Sequence, residues 1–476
     1  MTSQRFLSIV ALLILGSAGV IAQPGGRYGH YDVYDTDLLP RQEYATRRAH
    51  VLSTIDADAA MLVRSSEVAT RSNDVDYEFR QRNSLLYLTG VSESESALLL
   101  VPRGVSINGA SVREILFVKQ RSPESEKWTG LTLGEKVASE VTGIATVLPI
   151  SRMKSVLDEV LPNVATIYYD GFRAGRMEEP LGGARVDLEK ETRRVLTEKY
   201  PKLRIKLAGG ILDPMRLVKT QAEIALMKRA VDISIEGHLA AIRAGHPGIH
   251  EYELEAIMEY EFRRRGSEDP GYPSIVGSGP NTCILHYETS RRQSQPGELV
   301  VMDCGAEYHG YSADITRTFP VDGRFTTEQR AIYDLVYEAQ EAGIRMCAPG
   351  NSFFDPHREA MRIIGEGLVR LGIINLSSQA GRYFPHGTSH WIGLDVHDVG
   401  AMGNLSDGML LTVEPGIYIP AGSPCDPKWW NIGVRIEDDI LVTTSGPVIL
   451  SASLPRRSED IERLMRESHP PADGPN

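Results

Sequence analysis

Apolar positions along the chain follow two patterns in turn. From Tyr44 to Ile55 they recur at helical spacing. The runs AAMLV, LLYLTG, SALLLV and EILFV that follow read as short strands of an α/β layer, and helical and strand signals continue to Tyr200. Near Gly209 and Gly210 the pattern changes. Thr220-Gln-Ala-Glu223 makes a capping box, in which hydroxyl and carboxylate satisfy each other's backbone N–H. It starts a helix carrying Ile224, Met227, Val231, Ile235, Leu239 and Ile242 on one face. The pattern therefore predicts an α/β (α+β) protein with an amino-terminal domain over 41–208 and a second domain over 215–456, as suits 476 residues, too many for one ordinary core.

The second domain repeats itself. Gly297 opens G-E-L-V-V-M-Asp303-C-Gly305 and Gly408 opens G-M-L-L-T-V-Glu414-P-Gly416, with the acid six positions after the first glycine in both. His286 precedes Gly297 by eleven residues, and His397 precedes Gly408 by eleven. Upstream, IRAGHPG ending at Gly248 resembles IRMCAPG ending at Gly350, and each is followed by an amphipathic run closing at Gly266 or Gly372. Two helix-helix-strand-strand halves facing each other would bring their equivalent acids to one central place.

Asp303, Asp314, His390, Glu414 and Glu437 all lie in β-like apolar runs. A desolvated carboxylate without a partner is expensive, so this placement asks for a compensating positive charge. Four carboxylates and one imidazole form a hard donor set suited to Mn, Fe, Co or Zn in a shared two-metal site. Two such ions about 3.5–4 Å apart would share a water and lower its pKa towards neutrality, which is hydrolytic chemistry.

At these residues the chain resembles the metallopeptidases that include aminopeptidase P, prolidase and methionine aminopeptidase. IVGSGPNTCILHYE, MDCG to ADITRTF, PHGTSHWIGLDVHDVG, LTVEPGIYI and VRIEDDILVT match the family's motifs in order, from about Leu217 to Ser451. The resemblance implies a pseudo-symmetric pita-bread catalytic domain. FRQRNSLLYLTGVSESESALLLVP is similar to the creatinase/prolidase-type α/β amino-terminal domain that aminopeptidase P and prolidase share. As the resemblance has it, Asp303 chelates one metal, Asp314 and Glu437 bridge both, His390 completes one ion and Glu414 the other. Manganese is the first expectation, with Zn, Co and Fe as alternatives. His397 then matches a histidine that stabilises the tetrahedral intermediate, His286 one lining the substrate pocket, and His386 one at the pocket for the residue after the scissile bond. Arg435 is expected to pair with a ligand carboxylate or with Tyr272, and Glu414 to carry a proton to the leaving nitrogen.

The implied substrates are proline-containing peptides, with removal of the first residue from Xaa-Pro-Yaa as the leading reading. A prolidase-type dipeptidase is the alternative, and a non-catalytic peptide-binding member of the fold a third. Trp128 resembles a tryptophan that can approach an active site within family oligomers, so a homo-oligomer is expected, although a lone aromatic by itself reads as core. Trp429 and Trp430, in the insertion between Glu414 and Glu437, are expected to rim the pocket.

Charge and the chain's beginning add location. The formal net charge of −12, with no Lys/Arg block, argues against nucleic acid. Arg5 precedes FLSIVALLILGSAGV, and Val20-Ile21-Ala22 precedes a cleavage point, the layout of a signal peptide over 1–22. That run is short for a bilayer span, so a secreted or periplasmic protein without stable membrane insertion is expected. Residues 23–40 read as a flexible lead-in and 457–476 as a fraying tail. Four cysteines, Cys283, Cys304, Cys347 and Cys425, fit export but form no dense disulfide framework.

Overall fold

The computed structural model describes residues 37–170 and 188–468. The expected signal peptide and most of the lead-in lie outside the described residues.

The amino-terminal domain is a six-stranded sheet in the order Val147–Pro149, Ala110–Val118, Ala97–Ile107, Ala59–Arg64, Thr166–Tyr169, Arg204–Leu207. Ala59–Arg64 pairs antiparallel with Ala97–Ile107 and parallel with Thr166–Tyr169. Alternate side chains take opposite faces. Met61, Val63, Leu98, Leu100, Leu116 and Val118 pack with Val51 and Leu88 in the main core. Ala60, Leu62, Leu99, Val101, Ile115 and Phe117 pack with Val156, Val160 and Leu161 on the other side. Both faces are covered, which explains the near-continuous apolar runs.

One expected strand is a helix. LLYLTG lies in the helix Asn83–Thr89, which ends where Gly90, at φ 72°, donates its N–H to the Leu86 carbonyl at 2.8 Å. A short apolar run buried on several sides satisfies either geometry, and the left-handed glycine cap decides for the helix.

The second domain has the repeat read from the sequence. Helices Gln221–Ala244 and Glu251–Arg264 precede strands Ile275–Ser278, Leu299–Asp303 and Thr316–Pro320. Helices Thr327–Arg345 and Asp355–Arg370 precede Leu410–Val413, Gly416–Ile419, Ile432–Arg435 and Asp438–Leu441. The paired glycines keep the same left-handed turns: Gly248 and Gly350 at φ 92°, Gly266 and Gly372 at 95° and 70°, Gly297 and Gly408 at 80° and 83°. A side chain disfavours that conformation, so the spacing of glycines records the repeat. The Thr220–Glu223 capping box forms as expected.

The halves meet edge to edge where the Glu437 N–H donates to the Thr316 carbonyl at 3.1 Å and Thr318 Oγ1 donates to the Arg435 carbonyl at 2.9 Å. Arg317, fully buried, ties them further through Asp438 Oδ1 at 2.7 Å and the Glu437 carbonyl at 2.7 Å.

The expectation of a fraying tail over 457–476 is corrected for 458–468, while 469–476 lies outside the described residues. Ser458–Ser468 is a helix whose Ile461, Leu464 and Met465 are buried in the main core, an i, i+3, i+4 stripe that outweighs the surrounding charge. Among the described residues no helix is long and apolar enough to cross a membrane, and all four cysteines are unpaired.

Candidate metal centre and substrate cleft

Each candidate ligand sits at a strand end or on a loop beside one. Asp303 ends Leu299–Asp303, with Ile275 and Thr316 as strand partners on either side. Gly305 lets the chain turn back, since a Cβ there would collide with the Ala313 carbonyl. That close approach brings Asp314 alongside Asp303. Glu414 follows Leu410–Val413 and Glu437 lies between Ile432–Arg435 and Asp438–Leu441. His390 adjoins the Trp391–Leu411 bridge, and the Thr412 N–H donates to its carbonyl at 3.0 Å. The segment from His386 to His390 is not helical, as Gly387 within it and Gly393 just after it imply.

All nine candidate side chains line one cleft of 360 Å³: Asp303, Asp314, His390, Glu414, Glu437, His286, His386, His397 and Arg435. His390 Nε2 is 3.2 Å from Asp314 Oδ2 and 3.5 Å from Glu414 Oε1. Its Nδ1 is 3.1 Å from the Trp391 carbonyl, so a ring proton belongs on Nδ1 and Nε2 is the nitrogen that faces the acids. The Tyr272 hydroxyl is 2.6 Å from both Asp303 Oδ1 and Asp314 Oδ1. Arg435 reaches Asp303 Oδ2 at 2.6 Å, as expected.

The acids outnumber the positive charge available to them. Burial opposes ionisation of Asp303 most strongly, but the Arg435 guanidinium and the Tyr272 hydroxyl together outweigh it and hold the carboxyl below its usual range. Burial first, then neighbouring carboxylates, push Asp314 up, and push Glu437 well above the carboxylate range. Glu414 is pushed up to about 7, by burial foremost and by Asp314, against the opposing pull of His390. Burial works against a charged His390, yet Asp314 and Glu414 raise it to about 9. Glu437 Oε1 is buried without a hydrogen-bond partner, while its Oε2 accepts from Thr316 Oγ1 at 2.6 Å. Asp314, His390 and Glu437 each offer a ligand atom within 4.8 Å of one another. The orphaned oxygen, the crowded carboxylates and an imidazole whose Nε2 proton a cation would displace all fit divalent metal ions.

The other side of the cleft is a hydrogen-bonded chain. Arg435 Nη1 donates to the Tyr418 hydroxyl at 3.0 Å, and that hydroxyl is 2.9 Å from His386 Nε2. His386 Nδ1 lies 2.7 Å from the Gly387 carbonyl, which places the ring proton on Nδ1 and makes Nε2 the acceptor from Tyr418. Burial and the Arg435 charge lower this histidine to about 4, so it stands neutral. The His397 ring is T-shaped to His390, with centroids 4.4 Å apart.

Sequence reasoning missed Tyr418 and Asp439. Tyr418 alternates with Gly416 along one strand, and that glycine leaves room for its hydroxyl. Asp439 is fully buried and its Oδ2 accepts the Asp314 N–H at 3.1 Å, a role signalled by an i, i+2 spacing from Glu437. The two tryptophans do not rim the cleft. Trp429 is buried in the main core, and Trp430 Nε1 donates to the Ser423 carbonyl at 3.0 Å, because the insertion folds over apolar surface. Trp128, 86% exposed, is not a core residue.

Comparison with known proteins agrees with this geometry. Residues 225–444 match the model of metallopeptidase family M24, and 44–168 match the aminopeptidase P amino-terminal domain. The Xaa-Pro aminopeptidase of Escherichia coli is 38% identical over 439 residues, covering 90% of this chain and 98% of the relative. The structure of aminopeptidase PepP from Pseudomonas aeruginosa superposes with a TM-score of 0.82 at 35% identity, over 90% of this chain and 99% of that one. Zinc-substituted E. coli aminopeptidase P in complex with product gives a TM-score of 0.80 at 37% identity, with the same coverage.

Proposed function

The chain belongs to the Xaa-Pro aminopeptidases of metallopeptidase family M24, and from that premise we propose the division of labour among its residues. It is a metal-dependent hydrolase that removes the first residue from peptides with proline second. The observation that carries the site assignment is the convergence of Asp303, Asp314, His390, Glu414 and Glu437 in one cleft with too little positive charge to balance them.

These five would hold two divalent ions, manganese first, since the donors are hard and mostly oxygen. Bound there, such ions would supply acidification of a water and polarisation of the scissile carbonyl. Asp314 and Glu437 would be held in common by the two ions, with Asp303, Glu414 and the Nε2 of His390 completing the set, a reading supported by the closeness of Asp314, His390 and Glu437. A relative has been studied with zinc, which the same donors accept.

The protein groups handle the proton and the developing charge. Glu414 brings a carboxylate into the cleft 3.8 Å from His386, where it can deliver a proton to the leaving proline nitrogen. His397, on the exposed wall, would donate to the oxygen that becomes negative in the tetrahedral state. The imide nitrogen before proline has no hydrogen, so recognition rests on a surface for the ring. Neutral His386, edge-on to Phe384 at 5.0 Å, offers that surface together with His286. Arg435 keeps Asp303 and Tyr418 in place and so sets both sides of the cleft.

The Arg5-led apolar run supports export to the periplasm or exterior. Exposed Trp128 supports a homo-oligomer in which this indole meets a neighbouring subunit.

Incubation with Ala-Pro, Ala-Pro-Ala and Ala-Ala-Ala at equal concentration, with products identified by mass spectrometry, tests the reading. Alanine release from Ala-Pro-Ala is expected to dominate. Cleavage of Ala-Pro alone would establish the dipeptidase alternative, and preference for Ala-Ala-Ala would remove proline specificity.

A further inference from the structure

The His397 ring has no hydrogen-bond partner among the described residues, and its one ring contact is the edge of His390. Its aim is therefore set by the backbone of the turn that carries it, Gly393-Leu-Asp-Val-His-Asp398. That turn is pinned to its own domain by the Ser312 N–H on the Gly393 carbonyl at 2.8 Å and the Asp398 N–H on the Trp391 carbonyl at 2.8 Å.

The remaining ties come from far away in the sequence. Arg80 Nη2 donates to the Leu394 carbonyl at 2.6 Å and to the Gly310 carbonyl at 3.3 Å, while its Nε donates to Glu307 Oε2 at 2.7 Å. Asn83 Nδ2 donates to the same Leu394 carbonyl at 3.1 Å, and Arg80 Nη1 donates to Asn83 Oδ1 at 2.7 Å. Arg216, on the helix that joins the domains, donates from Nη2 to Asp395 Oδ2 at 2.9 Å and also to Asp398 Oδ1. Lys219 Nζ holds Asp398 Oδ2 at 3.0 Å, and both of those side chains are only 1% exposed. Gly393 makes room for this arrangement, because a Cβ there would run into the Asp398 carboxylate. Asp395 and Asp398 bracket His397, so the turn is clamped on both sides of the one residue whose own ring is free.

We propose that Arg80 and Asn83 of the amino-terminal domain, with Arg216 of the connecting helix, are positioning residues for His397, so that the amino-terminal domain serves the reaction within its own chain. The inference rests on the role given above to His397. A misplaced donor loses transition-state stabilisation while leaving the ring pocket and the metal ligands intact.

The test is a double-mutant cycle in the metal-replete enzyme with Ala-Pro-Ala. Arg80→Ala is expected to lower kcat on the order of tenfold with KM and metal content unchanged, Asn83→Ala to lower it less, and Arg80→Lys to recover part of the loss. Arg80→Ala in the His397→Ala background should cost nothing further, since its effect passes through that ring. Tyr87→Phe, which removes a hydroxyl contact of 3.0 Å to the Met215 carbonyl at the same domain interface, should leave kcat unchanged and controls for general loosening. Full kcat in Arg80→Ala and Asn83→Ala, or equal fold-losses in both backgrounds, would overturn the inference while the role of His397 stood. Full kcat in His397→Ala would overturn that role and the inference with it.

Discussion

Arg435 Nη2 donates to Asp303 Oδ2 across 2.6 Å, with both side chains almost wholly buried and 132 positions apart in the chain. The pair welds the two halves of the repeat at the floor of the cleft, and it supplies positive charge to the one candidate ligand whose carboxyl stays acidic. Removing one member of a buried pair leaves the other uncompensated, at a cost of about 3–5 kcal/mol. Arg435→Met is expected to lose that much in chelator-treated protein and clearly less in saturating Mn²⁺, where a cation replaces the guanidinium as partner to Asp303. Denaturant unfolding under the two conditions reads the difference. Equal stability of parent and variant without metal would show that Asp303 does not depend on Arg435.

His397→Ala should retain its metals and its fold and lose about two to three orders of magnitude in kcat, the size expected for one donor to a developing oxyanion. Metal analysis and steady-state kinetics on one preparation check this together. Loss of metal in this variant would mean that His397 and His390 have exchanged roles.

A pH effect on stability lies outside the cleft, at His309. Its Nδ1 is 2.8 Å from Glu268 Oε1 and its Nε2 is 3.1 Å from Asp37 Oδ1. Burial works against its charged form, but the two carboxylates outweigh burial and raise its pKa above 6.5. A raised folded pKa means tighter proton binding in the folded state, so the contribution is complete below the unfolded value and fades as pH rises through the folded one. His309→Gln should therefore cost ~1 kcal/mol near pH 6 and little near pH 9, measured by urea unfolding at both. A cost that grows with pH would contradict the assignment.

What the sequence disclosed depended on how local the physics is. The repeat was legible because glycines at Gly248, Gly297, Gly350 and Gly408 mark left-handed turns that other residues avoid. The acids at Asp303 and Glu414 were legible because a carboxylate closing an apolar run, six positions after a glycine in both halves, has no ordinary reason to be there. LLYLTG was misread because four or five apolar residues fit a buried helix as well as a strand. Trp429 and Trp430 and the helix Ser458–Ser468 turned on which surface they would cover, which only the assembled core decides. The Arg80–Leu394 tie joins residues 314 apart, and the Tyr418–His386 contact depends on how a loop meets the strand Gly416–Ile419. No spacing rule reaches either.

The most direct measurement strips the protein with a chelator, titrates Mn²⁺ back, and follows bound ions per chain against alanine released from Ala-Pro-Ala, for the parent and for Asp314→Asn. The account predicts no release from the stripped protein and recovery as two ions bind, with fewer ions and slower release in the variant because a charge shared by both ions is gone. Alanine release at the parent rate from verified metal-free protein, or full metal and full turnover in Asp314→Asn, would contradict it.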